Sequence, residues 1–333
     1  MKRSDFFKSA GALAVSSTFL GKAVNAQNKP LRIKPNRLKE GDTIGLVAPA
    51  GIIFDGEEFN RMRSVLEEMG FKVKFGDHVR KRHGYFSGED EERAEDLNRM
   101  FADDEVNGII AVRGGWGCAR ILRYLDFDMI RKNPKVYSGF SDNTTLHLAI
   151  LAYSGLVTFH GPMGNSAWSD LTRKYFHEVL VEGKMSEMKS KSKVKTIQGG
   201  KSQGGLIGGN LSILTTSLGT PYQPDTRGGI LFLEDIGESS YKIDRMLTHL
   251  REAGMMEDLA GFVFGKCTNC GDGTQPTFTL EEVLKQHIEP LGVPAIYGAD
   301  ISHEDDNFTL PMGLQADLNA DDGTITLLEE AVK

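Results

Sequence analysis

The chain has 333 residues, 40% hydrophobic and 26% charged, with a formal net charge of −7; this allows two domains with an ordinary core and excludes a disordered or fibrous chain. Charge is unevenly spread: the first 26 residues hold Lys2, Arg3, Lys8 and Lys22 against Asp5, leaving 35 basic and 45 acidic side chains, a net of −10, for the remainder. So acidic a body excludes sequence-independent nucleic-acid binding, which needs clustered Lys and Arg to neutralise phosphates.

The basic "MKRSDFFK", the apolar "SAGALAVSSTFL" and the small residues of "AVNA" predict a secretory signal over 1–26, cleaved after Ala26. The apolar stretch is too short to span a bilayer, although an uncleaved anchor helix is the alternative. Ser4 stands where a twin-arginine signal has its second Arg. No later segment reaches membrane-spanning length, so the mature chain is expected to be soluble and periplasmic, with no membrane partner.

"TIGLVAPAG" (Thr43–Gly51) predicts an apolar strand ending in a Pro/Gly turn. In "EEFNRMRSVLEEMG", Phe59, Met62, Val65, Leu66 and Met69 recur at helical spacing before Gly70. "FKVKFG" alternates like a strand, "SGEDEERAEDLNRMFAD" predicts a helix capped by Ser, and "VNGIIAVRGG" a buried strand ending in glycines. "CARILRYLDFDMIRKN" predicts one helix stopped by Pro134, and "KVYSGF" the next strand. This alternation predicts an α/β chain with a doubly wound parallel sheet over residues 27–170. Ligands gather at the carboxyl ends of such strands, here the turns after Val47, Val112 and Phe140. The Lys/Ser-rich stretch 171–205 is read as a linker to a second domain, 206–333. There "GGILFLED", "GFVFGKC" and "AIYGADIS" predict strands, "YKIDRMLTHLREAGMM" a helix, and "LQADLNADDGTITLLE" a closing hairpin.

Cys118, Cys267 and Cys270 are too few for a disulfide scaffold, and "CTNC" lacks the second pair that a zinc site needs. A local disulfide or two thiols is expected there.

"GFSDNTT" poses the main question. Ser, Asp, Asn and Thr favour helix starts because their oxygens accept unpaired backbone N–H groups, and that alone would account for Ser141. Gly-x-Ser is also half of the nucleophile elbow Gly-x-Ser-x-Gly, with Asn143 in the place of the second glycine. A nucleophile needs a base, and the base an orienting acid. His303, in the polar loop "GADISHEDDNFTLPMG", is either such a base or a surface residue. Glu234 ends an apolar strand and must find a partner, either a base or a cation such as Lys242 or Arg245.

Several segments, in order, resemble the LD-carboxypeptidase family of serine peptidases, which includes the microcin-immunity peptidases: "IGLVAPAG", "AVRGGWGCARIL" with "LDFDMI", "GFSDNTTLHLAI", "TFHGPM", "GGNLSILTTSLGTPY", "LFLEDIGESSYKIDRML" and "DDNFTLPMG". The resemblance covers almost the whole mature chain. It implies a Rossmann-like parallel-sheet N-terminal domain and a smaller β-rich C-terminal domain, with the site between them. It implies a triad of Ser141, Glu234 and His303, the first domain supplying the serine and the second the other two. Ser302 stands where relatives commonly have Gly before the His, and Trp116 where they have Tyr. The oxyanion would meet the backbone N–H groups of Gly115 and Asp142. Arg113 is the candidate for a substrate carboxylate and Trp116 for an aromatic wall. The implied reaction releases terminal D-Ala from a cell-wall tetrapeptide through an acyl-enzyme, with no metal or cofactor. Homodimers are common among such relatives. The alternatives are a microcin-type hydrolase of peptidyl nucleotides, an amidase of other acyl-amino acids, and a non-catalytic exported binding protein.

Overall fold

Short apolar runs build the first sheet: β1 (Thr43–Val47), β2 (Lys72–Phe75), β3 (Gly108–Ala111), β4 (Val136–Gly139) and β5 (Phe159–His160). In this computed structural model, which describes residues 32–271 and 277–333, they lie parallel in the order β2-β1-β3-β4-β5. The expected signal, residues 1–26, lies outside the described residues.

Helices connect these strands. α1 (Gly56–Glu68) is capped by Asp55, whose side chain accepts from Glu57 N, and it buries Phe59, Met62 and Leu66 as their spacing requires. α2 (Asp90–Ala102) starts two residues later than Ser87 predicts: Glu89 and Glu92 form a capping box. The Ser87 hydroxyl instead donates to the Gly51 carbonyl, tying two loops together. The single helix expected after Gly117 is broken into α3 (Cys118–Ile121), a tight turn, and α4 (Phe127–Lys132). The break arises because Asp126 accepts from Met129 N and so starts a new helix. α5 (Thr144–Ser154) is buried on nearly every side and ends at Gly155, whose φ of 75° suits glycine. α6 (Asp170–His177) is capped by Ser169.

The second sheet contains β6 (Glu187–Lys189), β7 (Lys195–Gln198), β8 (Lys201–Asn210), β9 (Gly229–Ile236), β10 (Gly261–Thr268) and β11 (Ala295–Tyr297) and, beyond β12 (Leu310–Pro311), β13 (Gln315–Asn319) and β14 (Thr324–Leu327). Its order is β6-β14-β13-β8-β9-β10-β11-β7. β8 to β11 are mutually parallel and the flanking pairs antiparallel. Stretch 171–205 holds most of α6, all of β6 and β7, and the start of β8. β6 and β7 are the sheet's two edges, and their exposed Glu187, Lys189, Lys195 and Thr196 account for a sequence without apolar periodicity. α7 (Leu211–Thr216), α8 (Ser240–Glu252) and α9 (Leu280–Ile288) complete the second half.

The halves are not independent bodies. One continuous apolar cluster includes Ile44, Leu46 and Ile110 of the first sheet with Phe232, Phe262 and Phe264 of the second. β12 returns to the first sheet and pairs antiparallel with β5. The chain between β11 and β12, which carries His303, therefore passes from one sheet to the other.

Candidate active site

β4 ends at Gly139 and the chain turns sharply into α5. Ser141 sits in that turn with φ of 61°, a left-handed conformation that costs a non-glycine residue about 1–3 kcal/mol. Three contacts hold it there. Gly139 leaves room for the Asn143 side chain, whose Cγ lies 2.9 Å from where a Cβ on Gly139 would be. Asn143 Nδ2 donates to the Phe140 carbonyl at 3.1 Å, and Tyr137 Oη donates to Asn143 Oδ1 at 2.6 Å. Asn143 thus fills space that a second glycine leaves open in other elbows. Among the described residues the Ser141 hydroxyl does not cap the helix it precedes. His147, on α5, braces the same turn: Nε2 donates to the Gly139 carbonyl at 2.8 Å and Nδ1 accepts from Thr158 Oγ1 at 2.9 Å. Complete burial pushes its pKa down to about 4, so it is a neutral structural group.

Glu234, at the end of β9, is fully buried. Its Oε2 accepts from His303 Nδ1 at 2.7 Å, which fixes the ring tautomer and leaves Nε2 as the basic nitrogen. Of the cation alternatives, Lys242 pairs with Glu238 instead, and among the described residues the ion-pair partner of Glu234 is His303, not Arg245. Burial alone would lower the His303 pKa; the Glu234 hydrogen bond and the charges of Glu234 and Asp235 outweigh it and raise the imidazole above its ordinary value. His303 is no surface residue, for its ring packs edge-on against Phe140, the neighbour of Ser141, with centroids 4.9 Å apart. A second link runs through β8. Asn210 lies opposite Glu234 in the sheet, and its backbone N–H donates to Thr144 Oγ1 at 3.0 Å, three residues beyond Ser141. A Cβ on Gly209 would sit 2.5 Å from that same oxygen, so the strand reaches α5 only because it carries glycine here.

Asp235 is the residue next to the acid. It accepts from Asn210 Nδ2, Ser212 N and Ile236 N. Burial and the neighbouring Glu234 push its pKa up to about 6. Phe140 and Asn210 carry no chemistry of their own; they lie within the motifs "GFSDNTT" and "GGNLSILTT", but no feature of the sequence assigns either a role.

The turn after β3 meets the serine turn directly. A Cβ on Gly114 would stand 2.7 Å from Ser141 Cβ and 3.5 Å from Asp142 N. Gly115 has φ of 116°. Among the described residues the N–H groups of Gly115 and Asp142 have no acceptor, as an oxyanion site requires. The Asp142 side chain accepts from Cys118 N at 2.8 Å and locks the two turns together. Burial and Asp142 raise the Cys118 thiol pKa well above its ordinary value, so it is no nucleophile. Arg113 Nη1 donates to the Ile52 carbonyl at 3.0 Å, and its Nη2 lies 3.9 Å from the position of a Cβ on Gly115. Trp116 is half exposed.

Three further histidines pair away from this turn. His78 bonds Asp96, His83 pairs with Glu89 and His287 bonds Asp244. His160 is fully buried between Phe140 and Phe232. Cys267 and Cys270 form a disulfide at the end of β10.

Comparison with known proteins identifies the family. Residues 44–161 match the LD-carboxypeptidase N-terminal domain and residues 203–318 the LD-carboxypeptidase C-terminal domain. A probable murein peptide carboxypeptidase of Bacillus subtilis is 40% identical over 303 residues, 89% of this chain and 95% of that one. The apo structure of the microcin C7 self-immunity protein MccF, known from Escherichia coli, superposes with a TM-score of 0.84 at 27% identity, covering 90% of this chain and 100% of that one. A muramoyltetrapeptide carboxypeptidase from Oxalobacter formigenes superposes with a TM-score of 0.74 at 32% identity, covering 86% and 97%. With both domains matched in order along a mixed α/β fold of two sheets, the chain belongs to the LD-carboxypeptidase family and is a carboxypeptidase.

Proposed function

We propose that the protein is a serine-type LD-carboxypeptidase that removes the terminal D-alanine of a cell-wall tetrapeptide, cutting after the L-centre of the third residue. The observation that supports this most is the hydrogen bond from His303 to buried Glu234, packed on Phe140 beside the left-handed Ser141 turn. Ser141 Oγ attacks the carbonyl carbon while its proton passes to His303 Nε2. The oxyanion rests on the N–H groups of Gly115 and Asp142. When the C–N bond breaks, the Nε2 proton leaves with the amine of D-alanine. Water then gives a proton to Nε2 and attacks the acyl ester; the free carboxylate departs and Ser141 regains its proton. Glu234 stabilises the imidazolium formed in each half. Arg113, with Nη2 beside Gly115, is suited to the substrate's terminal carboxylate.

The basic n-region and short apolar stretch of residues 1–26 support export, so the enzyme would trim wall peptides in the periplasm. Recovery of the intact chain in cytosol alone would remove that part of the reading. The main test is incubation with purified tetrapeptide and mass analysis for loss of one alanine. Ser141→Ala should lower the rate by on the order of 10⁴-fold or more. The likeness to MccF supports a second reading, hydrolysis of a peptidyl nucleotide. A nucleotide-linked peptide in the same assay separates the two, and failure of a serine-directed phosphonate to label Ser141 would favour a non-catalytic binding protein.

A further inference from the structure

His160 is fully buried, both of its ring nitrogens lack a partner among the described residues, and it takes no part in the acyl-transfer steps. Orphaned polar groups are uncommon in a protein interior, and each calls for an explanation. The strand that carries this histidine ties the parts of the site together. On one side of β5, His160 lies opposite Gly139 of β4, one residue before Phe140 and the serine turn. On the other it lies opposite Leu310 of β12, where the chain that carries His303 returns to the first sheet. Side-chain contacts then close a circuit. The His160 ring meets Phe140 with centroids 6.0 Å apart and Phe232 edge-on at 5.3 Å. Phe140 meets His303, and His303 Nδ1 donates to Glu234 Oε2. Phe232 and Glu234 stand two residues apart on β9 and so share one face of the strand. Glu234 Oε1 is a further buried atom without a partner among the described residues, and it belongs to the same circuit.

We propose that His160 is a positioning residue for the acid of the triad: its ring N–H and Glu234 Oε1 share one buried water, which gives the carboxylate a second hydrogen bond. This rests on the reading of Ser141, Glu234 and His303 as the reacting groups. The reach fits. Residues two apart on a strand are spaced about 7 Å, and one water spans about 5–6 Å between the atoms it joins. His160 packs on Phe232, so a water on its ring comes within reach of the next side chain on that face, which is Glu234. The chemistry fits as well. A neutral imidazole carries one N–H donor, and an ionised carboxylate only accepts. The ring N–H therefore donates to the water, and the water donates to Oε1. Burial, with the fields of His147 and His303, holds the His160 pKa well below its ordinary value, so this ring brings no charge to the pair. The charges that act on His303 are those of Glu234 and Asp235 on β9, while Lys266 of β10 is matched by Asp300 and Glu304. A second hydrogen bond on Glu234 steadies the carboxylate most when the imidazole beside it is neutral, and so eases the loss of the His303 proton.

The test follows the His303 imidazole by NMR of protein carrying isotope-labelled histidine, without substrate, in wild type, His160→Phe and His160→Gln. Phenylalanine keeps a ring without nitrogens; glutamine keeps an N–H donor. His160→Phe should raise the His303 pKa by about 0.5–1 pH unit, carry the acid limb of kcat/KM with it and lower kcat by about tenfold. His160→Gln should leave both the pKa and the limb near their wild-type positions. A His303 pKa that stays put in His160→Phe, or moves equally in both variants, overturns the inference and leaves His160 a packing ring. A check on the wild type needs no variant to fold: cross-relaxation from water to the His160 ring N–H should be seen, and its absence overturns the inference as well. Neither NMR measurement requires cleavage, which keeps this outcome apart from the carboxypeptidase reading. A shifted pKa in a protein that leaves the tetrapeptide uncut sustains the role of His160 and sinks the reaction; cleavage with an unmoved pKa sinks the role of His160 alone.

Discussion

Nδ1 of His303 donates to Oε2 of Glu234 across 2.7 Å, and the carboxylate that accepts it is fully buried, while its other oxygen, Oε1, has no partner among the described residues. The pair links the end of β9 to the loop that returns to the first sheet. A buried carboxylate is costly unless a charge or hydrogen bond compensates it, and here the compensation grows when the imidazole takes a proton.

Replacing the acid tests that coupling. Glu234→Gln keeps the shape but removes the charge and allows an amide to donate to Nδ1, which favours the wrong tautomer. We expect kcat to fall by about 10³–10⁴-fold while Ser141 stays in place. Steady-state kinetics on a tetrapeptide checks this; a loss below tenfold would show that the acid only packs the loop.

The pH dependence has a definite sign. His303 works as a base only when neutral, and its pKa stands above the ordinary value despite the opposing effect of burial, because of Glu234 and Asp235. The acid limb of kcat/KM should therefore lie above the ordinary histidine value of about 6.5, with activity rising as pH rises through it. Asp235→Asn removes one of the charges holding the proton and should move the limb downward. The stability effect is opposite: a raised histidine pKa stabilises the fold fully below the unfolded value and the contribution is lost as pH rises through the folded one. A limb that stays put in Asp235→Asn would exclude this coupling.

The strand–helix alternation of the first half was readable because each strand is an apolar run bounded by turn residues and each helix shows one apolar face. α5 and the split after Gly117 were harder. α5 is buried nearly all round, so it has no polar face to reveal its period, and the break before α4 depends on a single cap by Asp126. Ser141, Glu234 and His303 were legible as an ordered set of motifs, yet nothing local to each distinguished them from a helix start, an ion pair and a surface histidine. What joins them is long-range: the Phe140–His303 ring contact and the Asn210–Thr144 hydrogen bond connect residues that share no motif. Asn143 in the place of an elbow glycine looks like a departure until the Tyr137 and Phe140 contacts show it filling the turn.

Steric fit at the nucleophile gives a sharper test. A Cβ at Gly114 would stand 2.7 Å from Ser141 Cβ, which the turn's backbone fixes, and 2.9 Å from its Oγ. Gly114→Ala should cost activity by about 10²-fold or more through displacement of the serine or the oxyanion amides. Gly56→Ala, at the start of α1 with nothing within 4 Å of its added Cβ, is the control and should raise stability by about 0.5–1 kcal/mol at full activity. Thermal unfolding measured beside kcat separates the two effects.

Asp142 and Cys118 decide which residue near the oxyanion amides carries chemistry. Burial and the Asp142 carboxylate hold the thiol protonated far above neutral pH, and that carboxylate accepts from Cys118 N to fix the turn after β3 against the serine turn. Cys118 should therefore resist iodoacetamide in the folded protein and become alkylated only on unfolding. Asp142→Ala should release the turn and lower kcat by about 10–10²-fold, since the amides of Gly115 and residue 142 would no longer be held at oxyanion distance. Because Asp142 acts through geometry, its loss should slow phosphonate labelling of Ser141 in proportion to kcat, while the pH limb set by His303 stays where it is. If the limb moved with the labelling rate, Asp142 would be acting on the base through its charge, and the two turns would have to be held together by something other than its bond to Cys118.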